Sequence, residues 1–316
     1  MILAFAIVYV IWGSTYLAIR VVVESMPAFL SAGVRFLVAG LLMMGFLRLR
    51  GFALPAGPQW RHSWVAGLLL SVGGNGLVVW AEKSISSGLA ALLVALTPVW
   101  FALLNWLRPG GKRPQLKTVV GIVIGFAGVI LLVNGRGAAD SHAASFWAAI
   151  AVVFAGLSWA GGSLFTKYSP NSGSPLMNAA AQMICGGIGL VAVSLVTGEA
   201  LAADLSTVTG RSMIALLYLV VFGSWIGFTA YIYLLKVSTP SRVSTYAYVN
   251  PVIAVFLGWL VLGETIGPKM LLGALVVLAG VITIAVPASF VGEVGARLRR
   301  MVIGQPRALV PCPERD

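Results

Sequence analysis

Charge is scarce in this sequence: of 316 residues only 9% are charged, and only nine are Asp or Glu. An average soluble domain is about 25% charged. Hydrophobic residues make up 59% of the chain. A water-facing surface cannot be built from so few charges, which excludes a soluble globular protein and indicates a surface that faces lipid.

Cysteine and histidine are scarce as well. The two cysteines are Cys185, inside an apolar run, and Cys312, near the C-terminus; the two histidines are His62 and His142, in polar connections. Cysteines so placed, without neighbouring ligands, predict neither a disulfide nor a metal site. The spans contain neither a paired carboxylate nor a cluster with metal-ligand spacing. The sequence therefore predicts no cofactor and no enzymatic activity.

Long uncharged runs occupy most of the chain. A helix needs roughly 20 apolar residues to cross a hydrocarbon core about 30 Å thick, and strand-like alternation, which would favour a barrel, is absent. A run at Ala28–Leu47 is interrupted only by Arg35. The others are Ile2–Ile19, Trp64–Ala81, Ser84–Leu107, Thr118–Gly135, Ala143–Thr166, Tyr168–Gly198, Ser212–Leu235, Val243–Gly263 and Met270–Gly292. We predict an all-α integral membrane protein of ten transmembrane helices.

The basic residues, which give the chain a formal charge of +12, fall mostly on one side of this helix map. Fifteen follow even-numbered spans or lie in the tail: Arg48, Arg50, Arg61, Arg108, Lys112, Arg113, Lys117, Lys167, Lys236, Arg242, Arg297, Arg299, Arg300, Arg307 and Arg315. The other side has Arg20, Lys83, Arg136, Arg211 and Lys269. The positive-inside rule then places both termini in the cytoplasm and explains the charge without nucleic acid.

The first apolar run starts directly after Met1, with no basic segment before it and no obvious cleavage site. We therefore expect this span to be retained and not removed as a signal peptide. The connections are short, apart from Gly51–Ser63 and Gly198–Gly210, so function must lie within the membrane, in contact with lipid and a small-molecule substrate.

The chain contains an internal repeat. A shift of 153 residues places Thr97-Pro98 on Asn250-Pro251, and a shift of 152 places Gly128 on Gly280. Near the start of each half, a shift of 147 pairs Trp12 with Trp159, Arg20 with Lys167 and Gly40 with Gly187. The repeats are predicted at residues 1–135 and 143–286, with a basic cytoplasmic tail at 287–316 that is either an interfacial helix or disordered.

Each repeat would hold five helices, an odd number, so the two copies must enter the membrane from opposite sides. Such inverted repeats let one fold open to either side in turn, which is the basis of alternating access. The alternative is an old duplication kept only for packing.

Four pairs of aromatic or small polar residues have i, i+4 spacing, which places each pair on one side of its helix. They are Trp12 and Tyr16, Ser71 and Asn75, Trp159 and Ser163, and Ser244 and Tyr248. We predict that they bind substrate in a cavity, because polar groups orient a solute and rings accept apolar side chains. Interfacial belts for the rings and helix packing for the serines are the alternatives.

Two prolines and two charges also lie in or beside the spans. Pro98 and Pro251 each remove a backbone donor and are predicted to act as hinges or kinks. Glu82 ends the third run beside Lys83, so we interpret it as a structural or interfacial charge; if it takes up protons, it is the candidate residue for proton coupling. Arg35 lies a few residues into its span, so we interpret it as a structural charge that snorkels to the interface.

Several motifs resemble one known family. The Pro-centred fourth and ninth spans, Gly263-Glu264-Thr265, the run Ala279-Gly280-Val281-Ile282 and Trp12-Gly13-Ser14-Thr15 look like the EamA-type family of the drug/metabolite transporter superfamily. Among its members the chain looks most like the YddG-type amino-acid exporters. The first half departs from the pattern, because Gly110-Gly111-Lys112-Arg113 replaces the Gly-Glu element. We interpret Glu264 as a helix-cap or turn carboxylate near the membrane surface and leave it out of the predicted site.

The resemblance implies an exporter of small organic metabolites, most of all amino acids including aromatic or apolar ones, across a bacterial-type inner membrane. Within the superfamily, a multidrug or nucleotide-sugar carrier is the nearest alternative. A membrane-embedded enzyme or a non-transporting scaffold is the alternative from another class.

Overall fold

The computed structural model describes residues 1–111, 113, 116–134, 142–169, 173–238, 243–244, 246–263 and 267–285. Within these ranges the chain is helical, with turns and short loops and no β-strand. The described residues up to Ile284 form one compact unit. The predicted tail at 287–316 and Glu264 lie outside the described residues.

The helices agree with the apolar runs to within a few residues at most ends. They are α1 (Ile2–Val23), α2 (Ala28–Leu49), α3 (Gly57–Ala81), α4 (Ser87–Leu107), α5 (Leu116–Asn134), α6 (His142–Tyr168), α7 (Pro175–Val196), α8 (Gly210–Val237), α9 (Tyr246–Leu262) and α10 (Pro268–Ala285). Two boundaries differ from the prediction. The third helix starts at Gly57 and therefore includes His62. Tyr168 belongs to the end of α6, and α7 starts only at Pro175, because proline suits the first helical turn.

Among the described residues, seven helices are long and apolar enough to cross a membrane: α1, α2, α3, α4, α6, α7 and α8. Large apolar side chains such as Leu41, Trp147 and Phe154 lie exposed on the outside of the bundle, whereas Thr15, Ser71 and Thr97 are buried. Because an outer surface this apolar is stable only against lipid, the protein is a multi-pass membrane protein.

Helices α2 and α7 pack closely through small residues. A Cβ atom on Gly40 would lie 2.9 Å from the Ala180 carbonyl oxygen, and one on Gly187 would lie 3.0 Å from the Gly33 carbonyl oxygen. Any larger residue would push these backbones apart. Small residues at such crossings are the usual means of packing helices in a membrane.

In the part of the chain that the structure describes, three helices depart from regular α-helix near the centre of the bundle. The middle of α3 (Leu68–Gly76) and the middle of α8 (Leu219–Ile226) are π-helical, and α4 is interrupted at Ala95 and Leu96. π-Helical turns widen a helix locally and are frequent at functional sites. In this chain they place glycines and polar side chains next to an internal cavity.

Basic side chains close the ends of two helices. An Arg20 guanidinium nitrogen donates to the carbonyl of Glu82 at the end of α3. Lys167 Nζ donates to the carbonyls of Leu235 (2.8 Å) and Ser238 (3.1 Å) at the end of α8. Cations are stabilised at helix C-termini, where carbonyls lack intrahelical donors. These bonds tie the end of α1 to α3 and the end of α6 to α8.

Candidate functional site

A cavity with a volume of about 70 Å³ lies between both halves of the chain. This volume holds roughly five water-sized spheres at 10–15 Å³ each. Its walls come from α1, α2, α3, α4, α6, α8 and α9. The described residues that line it include Trp12, Thr15, Tyr16, Arg35, Phe36, Gly74, Asn75, Thr97, Gly156, Trp159, Gly223, Phe228, Tyr246 and Asn250.

One wall is aromatic. Trp12 and Trp159 meet edge to face with ring centroids 5.4 Å apart, and Trp12 also contacts Tyr246 edge to face at 5.1 Å. Phe228 lies 6.0 Å from Trp159, and Tyr231 packs behind at 4.9 Å from Trp12. These geometries are favourable for ring pairs, and the wall presents both apolar ring faces and polar ring edges.

The π-helical part of α8 holds Trp12 in place. Trp12 Nε1 donates to the Gly223 carbonyl at 3.1 Å. A Cβ atom on Gly227 would lie 2.9 Å from Trp12 Cδ1, so only glycine leaves room for the indole there. The orientation of the ring is therefore set by a helix of the other half of the chain.

Amides and a phenol supply the polar part of the cavity. Asn75 Nδ2 donates to the Leu70 carbonyl at 3.4 Å, five residues earlier in the π-helical turn. The Tyr16 hydroxyl hydrogen-bonds with the side chain of Asn250. With its Nδ2 turned toward the backbone, Asn250 also donates to the carbonyls of Tyr246 (3.0 Å) and Tyr9 (3.2 Å). Asn250 thus links α1 to α9 beside Pro251.

Arg35 does not snorkel as the sequence suggested. Its side chain is 4% exposed and lines the cavity. Its Nε donates to Ser224 Oγ at 2.8 Å, and its guanidinium lies 4.8 Å from the Phe36 ring centroid. The expectation was wrong because the neighbouring α8 covers this face of α2 and offers Ser224 as a partner.

Glu82 is buried too, at the end of α3, although its position beside Lys83 suggested an interfacial charge. It interacts electrostatically with Tyr16, so a charge on Glu82 acts on the polar side of the cavity. Its role in proton coupling stays a prediction.

Half of the eight predicted binding residues lie on the cavity wall: Trp12, Tyr16, Asn75 and Trp159. Ser163 lies behind the wall, where its Oγ contacts the Trp159 carbonyl and the Tyr231 hydroxyl, each at 2.7 Å. Ser71 is buried against Gly186 of α7. Ser244 is buried but is not among the described residues that line the cavity. The side chain of Tyr248 lies outside the described residues.

The two prolines have different surroundings. Pro98 stands in the first turn of the helix that restarts at Thr97, just after the interruption of α4. Pro251 is buried inside α9, which continues through it. Phe228, Tyr246 and Thr97 line the cavity but were not predicted, because nothing in their spacing distinguishes them from other residues of apolar spans.

Comparison with known proteins identifies the class. The model of the EamA-like transporter family matches residues 1–134 and 146–286. The chain therefore belongs to the EamA-like transporter family. It is a member of the drug/metabolite transporter superfamily, whose similar members are named as transporters and not as enzymes.

Similar proteins occur in bacteria and plants. The uncharacterized inner membrane transporter YedA of Escherichia coli is 41% identical over 82% of this chain and 81% of its own length. Protein PecM of Dickeya dadantii is 27% identical over 87% of this chain and 88% of its own. A chloroplastic WAT1-related protein of Arabidopsis thaliana is also 27% identical, over 87% and 67%. A crystal structure shares the fold with a TM-score of 0.63 at 18% identity, covering 89% of this chain and 95% of that one.

Proposed function

We propose that this protein exports small organic metabolites, amino acids with aromatic or apolar side chains above all, by alternating access. The observation that carries the proposal is the cavity between the two halves, with an aromatic wall around Trp12 and Trp159 and a polar part around Asn75 and Asn250. Such a mixture binds a solute that has an apolar and a polar end.

The proposed architecture is ten transmembrane helices in two inverted five-helix repeats, with α5, α9 and α10 crossing the membrane as well. Close contacts between α2 and α7 support it. Gly40 packs against Ala180 and Ile184, while Gly187 packs against Gly33 and Leu37. Since a shift of 147 converts each set into the other, the contact is reciprocal, as expected across a two-fold axis.

The helix ends support opposite insertion of the halves. Arg20 at the end of α1 bonds to Glu82 at the end of α3. Ser212 Oγ, at the start of α8, donates to the Val21 carbonyl, also at the end of α1, at 2.7 Å. The end of α3 and the start of α8 therefore lie together. Because α3 and α8 are the third helices of the two repeats, equivalent helices run in opposite directions.

We place the protein in the inner membrane with both termini in the cytoplasm. The excess of basic residues after even-numbered helices supports this orientation, and the similar YedA protein is named as an inner membrane transporter. Lys83 would then face outward and Lys236 the cytoplasm.

Alternating access requires that the two ends of the helix bundle, one on each side of the membrane, close in turn. Arg20 and Lys167 are equivalent under the shift of 147 and bind carbonyls at opposite ends of the bundle. Breaking one such contact and keeping the other would open one side. The interruption of α4 before Pro98 and the π-helical turns of α3 and α8 provide places where the helices can bend.

The cavity chemistry also separates the alternatives within the superfamily. A nucleotide sugar needs several cations for its phosphates, and among the described lining residues the cavity has no lysine. The preference for amino acids comes from the YddG-type resemblance together with this chemistry.

Purified protein in liposomes tests the proposal. We expect saturable uptake of labelled L-phenylalanine or L-leucine, with counterflow when unlabelled amino acid is trapped inside. A panel of the twenty amino acids, with and without a pH gradient, then gives selectivity and coupling. Empty liposomes are the control. Flux of a multidrug substrate without amino-acid flux, or product formation without flux, contradicts the proposal.

A further inference from the structure

We propose that Arg35 binds the carboxylate of the transported solute and thereby fixes its orientation in the cavity, an inference that rests on the proposed function. Arg35 is 4% exposed, lines the cavity, and is the one charged side chain among the described lining residues. A guanidinium in this position is a strong anion receptor, because its planar donors match the two oxygens of a carboxylate.

The hydrogen bonds of Arg35 leave donors for a ligand. A guanidinium has five N–H donors. Within the described part of the chain, Nε is bonded to Ser224 Oγ at 2.8 Å, whereas Nη1 has no hydrogen-bond partner. No carboxylate of the described residues lies within ion-pair distance of it. A buried charge without a counter-charge is costly, and a bound anion would supply the counter-charge that the described residues do not.

Packing does not demand a charge at this position. The shift of 147 that pairs Trp12 with Trp159 pairs Arg35 with Gln182, which is buried at the equivalent place in α7. The fold thus accepts a neutral amide of similar length there. The two halves therefore differ at this position, and the half with the charged residue places it on the cavity wall. This favours a role of Arg35 in ligand binding over a role in helix packing.

The aromatic wall completes the pocket for one class of solute. Trp12, Trp159 and Phe228 line the cavity together with Arg35. A carboxylate at Arg35 leaves the rest of the solute against these rings. A single positive charge suits a monoanionic group better than a phosphate, which carries nearly two negative charges. The structure thus assigns the site to carboxylates with a short apolar or aromatic body.

The test compares the binding of two ligands of nearly the same shape. One is the charged acid, 3-phenylpropionate, and the other is the uncharged amide, 3-phenylpropionamide. Binding to the purified protein is followed by tryptophan fluorescence, because Trp12 and Trp159 line the cavity. We expect the wild type to prefer the acid by about tenfold, as one charge-assisted contact implies. Arg35→Gln, the residue of the equivalent position, should bind acid and amide within about twofold of each other.

Arg48→Gln is the matched control, since Arg48 is an exposed arginine near the other end of the same helix; it should keep the preference for the acid. Equal affinity for acid and amide in the wild type overturns the assignment, even if Arg35→Gln does not fold. An unchanged preference in Arg35→Gln also overturns it, and tighter binding of phenyl phosphate than of the acid overturns the choice of carboxylate. Failure of L-phenylalanine uptake with the acid preference intact contradicts amino-acid transport and leaves the Arg35 site standing.

Discussion

The indole rings of Trp12 and Trp159 meet edge to face, with centroids 5.4 Å apart and planes at 85°. The two residues are equivalent under the shift of 147 that relates the halves of the chain. Residues that touch their own equivalents lie on the axis that relates them. In the proposed architecture, the aromatic wall of the cavity is therefore at the pseudo-two-fold axis, where both halves contribute equally.

Truncating this wall should impair transport. We expect Trp159→Ala to lower amino-acid uptake in liposomes by about tenfold, since central buried aromatic residues carry much of a binding energy. Trp147→Ala on the same helix is the control, because Trp147 is exposed on the outer surface; it should transport normally. Wild-type uptake in Trp159→Ala, at equal expression, would remove this residue from the site.

The amide of Asn75 should contribute less than the rings. Its Nδ2 already bonds to the Leu70 carbonyl, so Asn75→Ala removes at most a hydrogen bond to the solute and local support for the π-helical turn. We expect uptake to fall by about two- to tenfold, which corresponds to one net hydrogen bond. Initial rates at several concentrations measure it, and Asn75→Asp shows whether shape alone suffices.

The contact between α2 and α7 should tolerate no added methyl group. A Cβ atom on Gly40 would lie 2.8 Å from Ile184 Cγ1, so Gly40→Ala is expected to destabilise the protein by about 1–3 kcal/mol through overpacking. Gly45 on the same helix has nothing within 4 Å of its Cβ position, so Gly45→Ala should leave stability unchanged. Thermal unfolding in detergent distinguishes the two; similar midpoints would argue against the crossing.

Glu82 should control any dependence on a pH gradient. If its buried carboxyl takes up a proton during transport, Glu82→Gln uncouples the gradient from uptake while counterflow continues. Glu24→Gln is the control, because Glu24 is an exposed carboxylate at the end of α1 that pairs with Arg211 at 3.8 Å. If Glu82→Gln still shows gradient-driven uptake, another residue couples transport to protons. If the wild type shows no gradient-driven uptake, facilitated export is favoured.

The inverted repeat predicts opposite accessibility for two equivalent lysines. Lys83→Cys and Lys236→Cys, each in a background with Cys185→Ser and Cys312→Ser, would be labelled with a membrane-impermeant maleimide. We expect labelling of position 83 from outside the cell and of position 236 only after the membrane is opened. Both positions reacting from the same side would refute the inverted arrangement and the transport cycle built on it.

Much of the helix map could be predicted from the sequence, because hydrophobicity is a property of each residue. In lipid, an apolar run must form a helix so that its backbone groups are hydrogen-bonded. Boundaries such as Gly57 were missed because a polar first turn outside the hydrocarbon carries no hydropathic signal. Residue spacing showed which side chains share a face of a helix, but not whether that face points toward the cavity or toward another helix. Trp12 and Trp159 lie on the cavity wall, for example, whereas Ser71 faces α7.

The sequence alone determined that the chain is a membrane protein and where most of its apolar helices lie, and it predicted that the two halves repeat. These follow from composition and local pattern. The tertiary structure decided which side chains share the cavity and that Arg35 is buried beside Ser224. Whether a charge snorkels or is enclosed depends on the helix packed against it, and the partner Ser224 on that helix is 189 residues away in the chain.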